Sequence, residues 1–93
     1  MIWGLIATSK YIDQVSKFGI QVGDNISRPW IEVCKNEDIS FLKQRKCPLG
    51  KKYYKTVFRG LEYQFIFEIN DEEKFIRLIN CRKLDFLNYG QVD

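Results

Sequence analysis

The sequence contains no histidine, and this absence removes several classes of catalytic site. The Ser-His-Asp and Cys-His arrangements both need an imidazole as the general base, so neither is available. The three cysteines, Cys34, Cys47 and Cys81, are odd in number and widely spaced, and no Cys-x-x-Cys pair occurs. A disulfide framework and a zinc site are therefore disfavoured, and we predict no metal and no other cofactor.

Long apolar runs are also missing. No stretch approaches the length of about 20 apolar residues that is needed to span a bilayer. The opening segment MIWGLIATSK has too short an apolar stretch for a signal peptide, and no charge leads it. We therefore expect a cytoplasmic protein without a membrane segment, whose cysteines stay reduced.

The chain is short but rich in aromatic residues. Its 93 residues leave no room for two cores, so we predict a single domain over residues 1–93. Hydrophobic residues make up 45% of the chain, with seven Phe, five Tyr and two Trp. Side chains of this size bury large areas and favour a folded domain, in which Trp3 and Trp30 are predicted core residues.

Acidic residues are absent from residues 41–60, FLKQRKCPLGKKYYKTVFRG, although the whole chain has twelve of them. Seven of the fifteen Lys and Arg residues lie there: Lys43, Arg45, Lys46, Lys51, Lys52, Lys55 and Arg59. A cationic stretch of this kind can form an anion-binding surface. It can equally be a solvated loop and strand edge that lysines keep soluble.

The first half of the chain reads as one strand followed by two helices. Residues 2–8, IWGLIAT, form a nearly continuous apolar run that suits a buried strand. Ser9 is a predicted N-cap for a short amphipathic helix, which Gly19 ends. A second helix is expected within residues 20–42, capped by Asp24 or Asn25, with Pro29 in its first turn.

The second half reads as three strands joined by short turns, at residues 52–58, 62–69 and 74–81. In the middle run, alternation places Tyr63, Phe65, Phe67 and Ile69 on one face and Gln64, Ile66 and Glu68 on the other. The same period in the third run separates two sets of residues: Ile76, Leu78, Asn80 and Arg82 from Phe75, Arg77, Ile79 and Cys81. We predict an antiparallel meander that the first strand joins.

The expected fold is therefore α+β, with two helices packed on one face of a four-stranded, mainly antiparallel sheet in the order β-α-α-β-β-β. The opposite face or rim of this sheet is predicted to carry the cations Lys51, Lys52, Lys55, Arg59, Arg77 and Arg82.

This order resembles the RelE/ParE family of toxins from toxin–antitoxin pairs. The opening MIWGLIATSKYIDQVSKF is similar to the family's first strand and the lysine-rich helix after it. The stretch PLGKKYYKTVFRGLEYQFIFEINDEEKFIRLINCRKLDFLNY resembles the family's Pro-Leu, basic strand, glycine turn, charged hairpin and last strand with its arginine. The two stretches cover about two thirds of the chain.

The resemblance implies a type II toxin that an antitoxin protein neutralises. Members of the RelE branch are ribosome-dependent endoribonucleases that cut mRNA without a metal. By resemblance, the predicted catalytic residues are Lys52, Lys55, Arg82 and Tyr89, with Phe86 as the alternative to Tyr89. The predicted nucleic-acid-binding residues are Lys51, Tyr53, Arg59, Arg77 and Lys83.

Two positions depart from the family pattern. Gln64 stands where active members usually carry an arginine, and Cys81 stands where many carry a histidine. Each difference removes a cation or proton carrier, and losing one transition-state donor can cost about 100-fold in rate. The alternative is a non-catalytic binder of the same fold, either a DNA gyrase poison like those of the ParE branch or a regulatory protein of a virus or mobile element.

Overall fold

The computed structural model describes residues 2–46 and 52–84. Seven elements follow one another in these residues: strand β1 (Gly4–Ala7), helices α1 (Ser9–Ser16) and α2 (Ile20–Cys34), a short 3-10 helix (Ser40–Lys43), and strands β2 (Tyr53–Val57), β3 (Tyr63–Asn70) and β4 (Phe75–Lys83). The predicted order β-α-α-β-β-β is confirmed.

The four strands form one mixed sheet in the order β1-β4-β3-β2. The pairs β2/β3 and β3/β4 are antiparallel, as the predicted meander requires. Strand β1 runs parallel to β4, with Gly4 N–H donating to the Lys74 carbonyl at 2.8 Å and Thr8 N–H to the Leu78 carbonyl at 3.1 Å. The sheet is therefore mainly antiparallel, and its first strand is added beside the last.

Helix α1 begins one residue earlier than predicted, because Thr8 is its N-cap and Ser9 is already helical. The Thr8 hydroxyl accepts from the Tyr11 backbone N–H at 3.3 Å and donates to the Leu78 carbonyl at 2.8 Å. One side chain thus caps the helix and ties it to β4. The helix ends at Ser16, so Gly19 does not end it.

Gly19 is instead the N-cap of α2, with φ at 95°, a conformation that residues with a Cβ rarely adopt. The prediction that Asp24 or Asn25 caps this helix is wrong. Pro29 was expected in the first turn and lies in the interior, where proline removes one backbone hydrogen bond at a cost of about 3 kcal/mol. Packing must therefore hold the helix together.

That packing comes from one buried stripe of α2, formed by Ile26, Trp30, Val33 and Cys34 at helical spacing. Trp30 is fully buried, and its ring lies edge-on to Phe58, Phe65 and Phe67, with centroids 5.0, 5.5 and 5.1 Å away. Trp3 is only 5% exposed, so both tryptophans are core residues, as predicted.

The chain leaves the helix after Cys34, which corrects the prediction of helix as far as residue 42. Ile39 and Leu42 reach the core from the 3-10 helix segment instead. The Lys43 ammonium then pairs with Asp71 in the β3–β4 turn at 2.8 Å. Within residues 2–46 and 52–84, none of the helices combines the length and the apolar character that crossing a membrane would need.

Candidate nucleic-acid interface

The sheet has one face under the helices and a second face, which we call the distal face, turned away from them. Phe65 and Phe67 of β3 face the helices, as the predicted alternation requires. Strand pairing then places these side chains on the distal face: Tyr53, Lys55, Gln64, Ile66, Glu68, Arg77, Asn80 and Arg82.

A β-bulge in β4 decides which of its side chains reach the distal face. Phe67 pairs with Leu78, whereas the preceding residue, Ile66, pairs with Asn80. Ile79 is therefore an extra residue without a partner on β3. Beyond Ile79, the side chains of β4 therefore point to the opposite faces from those that strict alternation would give them.

The bulge places Arg77 and Arg82 on the same face, although they are five residues apart. Strict alternation would put them on opposite faces, as the sequence predicted. The strict alternation predicted for β4 is wrong at this point, whereas the register agrees with the prediction that one face or rim carries both arginines: Leu78 and Cys81 face the helices, and Asn80 joins the two arginines on the distal face.

Glu68 is the centre of an ion-paired cluster on this face. Its carboxylate lies 3.3 Å from the Lys52 ammonium and accepts a hydrogen bond from the Arg77 guanidinium. Burial, which leaves this side chain 14% exposed, acts to raise its pKa. Hydrogen bonds from Arg77 and Lys52 and their charges outweigh burial, and the pKa of Glu68 lies below its ordinary value. Two of the predicted cations are thus partly neutralised.

A Glu68→Gln variant should reveal this cluster through the pH dependence of stability. Because the pKa is lowered on folding, the ionised carboxylate stabilises the fold above its ordinary pKa of 4.5, and this contribution is lost as the pH falls through the lower, folded-state pKa. We expect the variant to lose about 1 kcal/mol of unfolding free energy near pH 7. The difference in unfolding free energy between the variant and the wild type should shrink as the pH becomes acidic.

Urea unfolding at a series of pH values measures this effect. Glu72→Gln is the matched control, since Glu72 is an exposed carboxylate of the β3–β4 turn. The unfolding free energy of Glu72→Gln should equal that of the wild type at every pH. A stability loss in Glu68→Gln that is constant from neutral to acid pH would contradict the account.

Arg82 is held differently from Arg77, by a neutral partner. It pairs across the strands with Gln64, and its Nε–H donates to the Gln64 amide oxygen at 3.1 Å. The amide is 3% exposed, while the arginine is exposed. Because an amide carries no charge, Arg82 keeps its full positive charge at the surface.

Lys55 lies on the same face, on strand β2, and β3 separates it from Arg82 on β4. It pairs with Ile66, which pairs in turn with Asn80, two residues before Arg82. Two strand spacings and two residues along the strand separate the Cα atoms of Lys55 and Arg82 by about 12 Å. The Lys55 side chain is buried, at 7% exposure, and its backbone N–H donates to the Arg45 carbonyl at 3.0 Å.

The other predicted site residues are spread more widely. Tyr53 is on the distal face, with the Lys52 ammonium 5.5 Å from its ring centroid. Arg59 is exposed in the β2–β3 turn, where Gly60 has φ at 86°. Lys83 pairs with Tyr63 and therefore lies on the helix side of the sheet end. Lys51, Tyr89 and Phe86 are outside the described residues.

Cys81 takes no part in the distal face. It is 1% exposed under the helices, and its backbone N–H donates to the Gln14 side-chain oxygen at 2.8 Å. Burial raises the pKa of its thiol to about 12, so it stays protonated at neutral pH. Among residues 2–46 and 52–84, no three histidine, cysteine or carboxylate side chains are grouped so that they could hold a metal ion.

Comparison with solved structures identifies the fold. The toxin chain of the intact E. coli RelBE toxin–antitoxin complex superposes with a TM-score of 0.66 at 19% identity, covering 89% of this chain and 98% of that one. A mutant E. coli RelE bound to a peptide of the antitoxin RelB superposes with a TM-score of 0.68 at 19% identity, covering 100% of this chain and 96% of that one. Isolated E. coli RelE superposes with a TM-score of 0.67 at 18% identity, covering 97% of this chain and 95% of that one.

The chain therefore has the fold of RelE toxins, with two helices on a four-stranded sheet. No protein-family model and no curated protein sequence matches it. At this level of sequence identity the likeness establishes the architecture, and activity has to be argued from the distal face itself.

Proposed function

We propose that this chain is the toxin of a type II toxin–antitoxin pair and that it cleaves mRNA on the ribosome. The observation that supports this most is the placing of Lys55 and Arg82 on one face of a RelE-like sheet. The sequence alternation alone put Arg82 on the opposite face of β4 from Arg77, and the bulge brings both arginines to the face of Lys55.

The proposed chemistry is attack of a ribose 2′-hydroxyl on the neighbouring phosphate. Such a reaction needs a base for the hydroxyl, donors for the charge that develops on phosphate, and an acid for the leaving oxygen. Arg82 is suited to the second task, since an exposed guanidinium offers a fork of N–H groups to phosphate oxygens. Lys52 and Lys55 remain predicted catalytic cations, and Tyr89 the predicted proton carrier.

The proposed partner is an antitoxin, and the proposed compartment is the cytoplasm. The solved relatives include RelE in complex with RelB, which supports a partner of that kind for a chain with this fold. An acidic or amphipathic segment that wraps the domain would match its excess of cations. A single domain over residues 1–93 also remains our prediction.

Translation in a cell-free extract tests the proposal. Added protein should arrest synthesis and leave cut transcripts, with cleavage that depends on ribosomes. Arrested translation with intact transcripts would contradict the nuclease mechanism, and unaffected translation would contradict both it and the ribosomal target.

A second candidate function is supported by the ion pairs around Glu68 and by the burial of Cys81. Both reduce the number of groups on the distal face that are available for chemistry. A non-catalytic binder of the same fold, such as a gyrase poison, would tolerate this. Linear plasmid formed in the presence of gyrase and ATP would favour this candidate, and unchanged supercoiling would dismiss the gyrase target.

A further inference from the structure

Gln64 stands opposite Arg82 and is buried, and this arrangement gives it a role that the sequence did not indicate. A guanidinium has only donors, so the amide must turn its oxygen toward Arg82 Nε, as the 3.1 Å bond requires. Because Gln64 is 3% exposed, the acceptor itself is fixed in place. No other hydrogen bond joins the Arg82 guanidinium to a described residue, so within this part of the chain the contact with Gln64 orients its two Nη groups.

We propose that Gln64 is a positioning residue, which orients the Arg82 guanidinium for a phosphodiester without neutralising it. This inference rests on the proposed function and refines its anion site. The contrast with the other arginine supports it: Arg77 is held by the carboxylate of Glu68, which partly neutralises its charge. A neutral acceptor limits the rotamers of Arg82, whose side chain carries about 2 kcal/mol of conformational entropy, and leaves its charge for the ligand.

Two substitutions separate orientation from charge. Gln64→Met keeps the length of the side chain and removes the acceptor, so Arg82 should lose its orientation and keep its charge. Gln64→Glu keeps an acceptor and adds a negative charge, so Arg82 should stay in place and be neutralised. Asn80→Leu is the matched control, because it removes an amide from the same face that makes no hydrogen bond to Arg82.

The first readout is hydrogen exchange of the Arg82 Nε–H, followed by NMR on the full chain. Exchange should be slow in the wild type, in Gln64→Glu and in Asn80→Leu, and at least several-fold faster in Gln64→Met. Circular dichroism checks that each variant is folded. An equally slow Nε–H in folded Gln64→Met overturns the inference, and should that variant fail to fold, fast exchange in both the wild type and Gln64→Glu also overturns it.

The second readout is binding of a short unstructured oligouridylate at several salt concentrations. Gln64→Met should bind several-fold more weakly with an unchanged salt slope, because no charge is lost. Gln64→Glu should lower the slope by about 0.7, the value for one phosphate contact on a single strand. An unchanged slope in Gln64→Glu overturns the inference.

The two proposals fail in different ways. A wild type that binds no oligouridylate overturns both the phosphate ligand assigned here and the proposed contact with RNA. A wild type that binds the RNA with the expected slopes and leaves transcripts intact supports the role of Gln64, and it contradicts only the nuclease mechanism.

Discussion

Replacing Trp30 with alanine should lower the free energy of unfolding by about 3–5 kcal/mol, the usual cost of deleting a buried aromatic side chain. The ring is fully buried and contacts three phenylalanine rings, two in β3 and one in the residue that follows β2. Trp30 thus joins α2 to the sheet. Since small domains have only about 5–15 kcal/mol of stability in total, the variant should be partly unfolded near physiological temperature.

Urea unfolding followed by far-ultraviolet circular dichroism measures this loss without relying on tryptophan fluorescence. Trp30→Phe should lose much less, because it keeps an aromatic ring in contact with the phenylalanines and removes an indole N–H that has no hydrogen-bond partner among the described residues. Ile20→Ala, at a side chain 85% exposed, should change stability by no more than about 0.5 kcal/mol. An unchanged midpoint for Trp30→Ala would contradict this account of the core.

The sequence predicted the core well because its pattern is local. The alternation in β3 follows from the period of one strand, which the sequence of that strand displays by itself. Trp3 and Trp30 are buried as expected. The ends of α2 were harder to predict, because Gly19 offers no side-chain cap and Pro29 is tolerated only through tertiary packing.

The distal face was predicted less completely, since its composition depends on contacts between strands. The bulge at Ile79 exists only in the pairing of β4 with β3, and no feature of β4 alone indicates where alternation is reset. The roles of Glu68 and Gln64 likewise come from their cross-strand partners, Arg77 and Arg82. With an assumed register between β3 and β4, a search for a carboxylate opposite a predicted cation could have found the pair of Glu68 and Arg77.

The cations therefore converge only in part. Lys52, Lys55, Arg77 and Arg82 lie on the distal face, whereas Lys43 pairs with Asp71 in the turn. Of the two arginines, Arg77 is paired with a carboxylate, whereas Arg82 has an amide and no carboxylate as its partner within residues 2–46 and 52–84. Among the described residues of the distal face, Arg82 is therefore the cation that we propose to receive an anion.

Arg82→Ala should consequently reduce ribosome-dependent mRNA cleavage by about 100-fold or more, the loss expected when a donor to the transition-state charge is removed. The fold should be kept, because the side chain is exposed and its removal leaves stability within about 0.5 kcal/mol. Quantifying cut transcripts over time in a cell-free extract gives the rate, and thermal unfolding of the same preparation confirms the fold.

Arg28→Ala is the matched control for Arg82→Ala, since it removes the same exposed side chain and the same charge from α2, away from the distal face. It should cleave at the wild-type rate within a factor of about two. If both variants lose activity to the same extent, overall charge and not a positioned guanidinium governs the reaction. If neither loses activity, Arg82 has no part in cleavage, and the non-catalytic binder becomes the better account of the distal face.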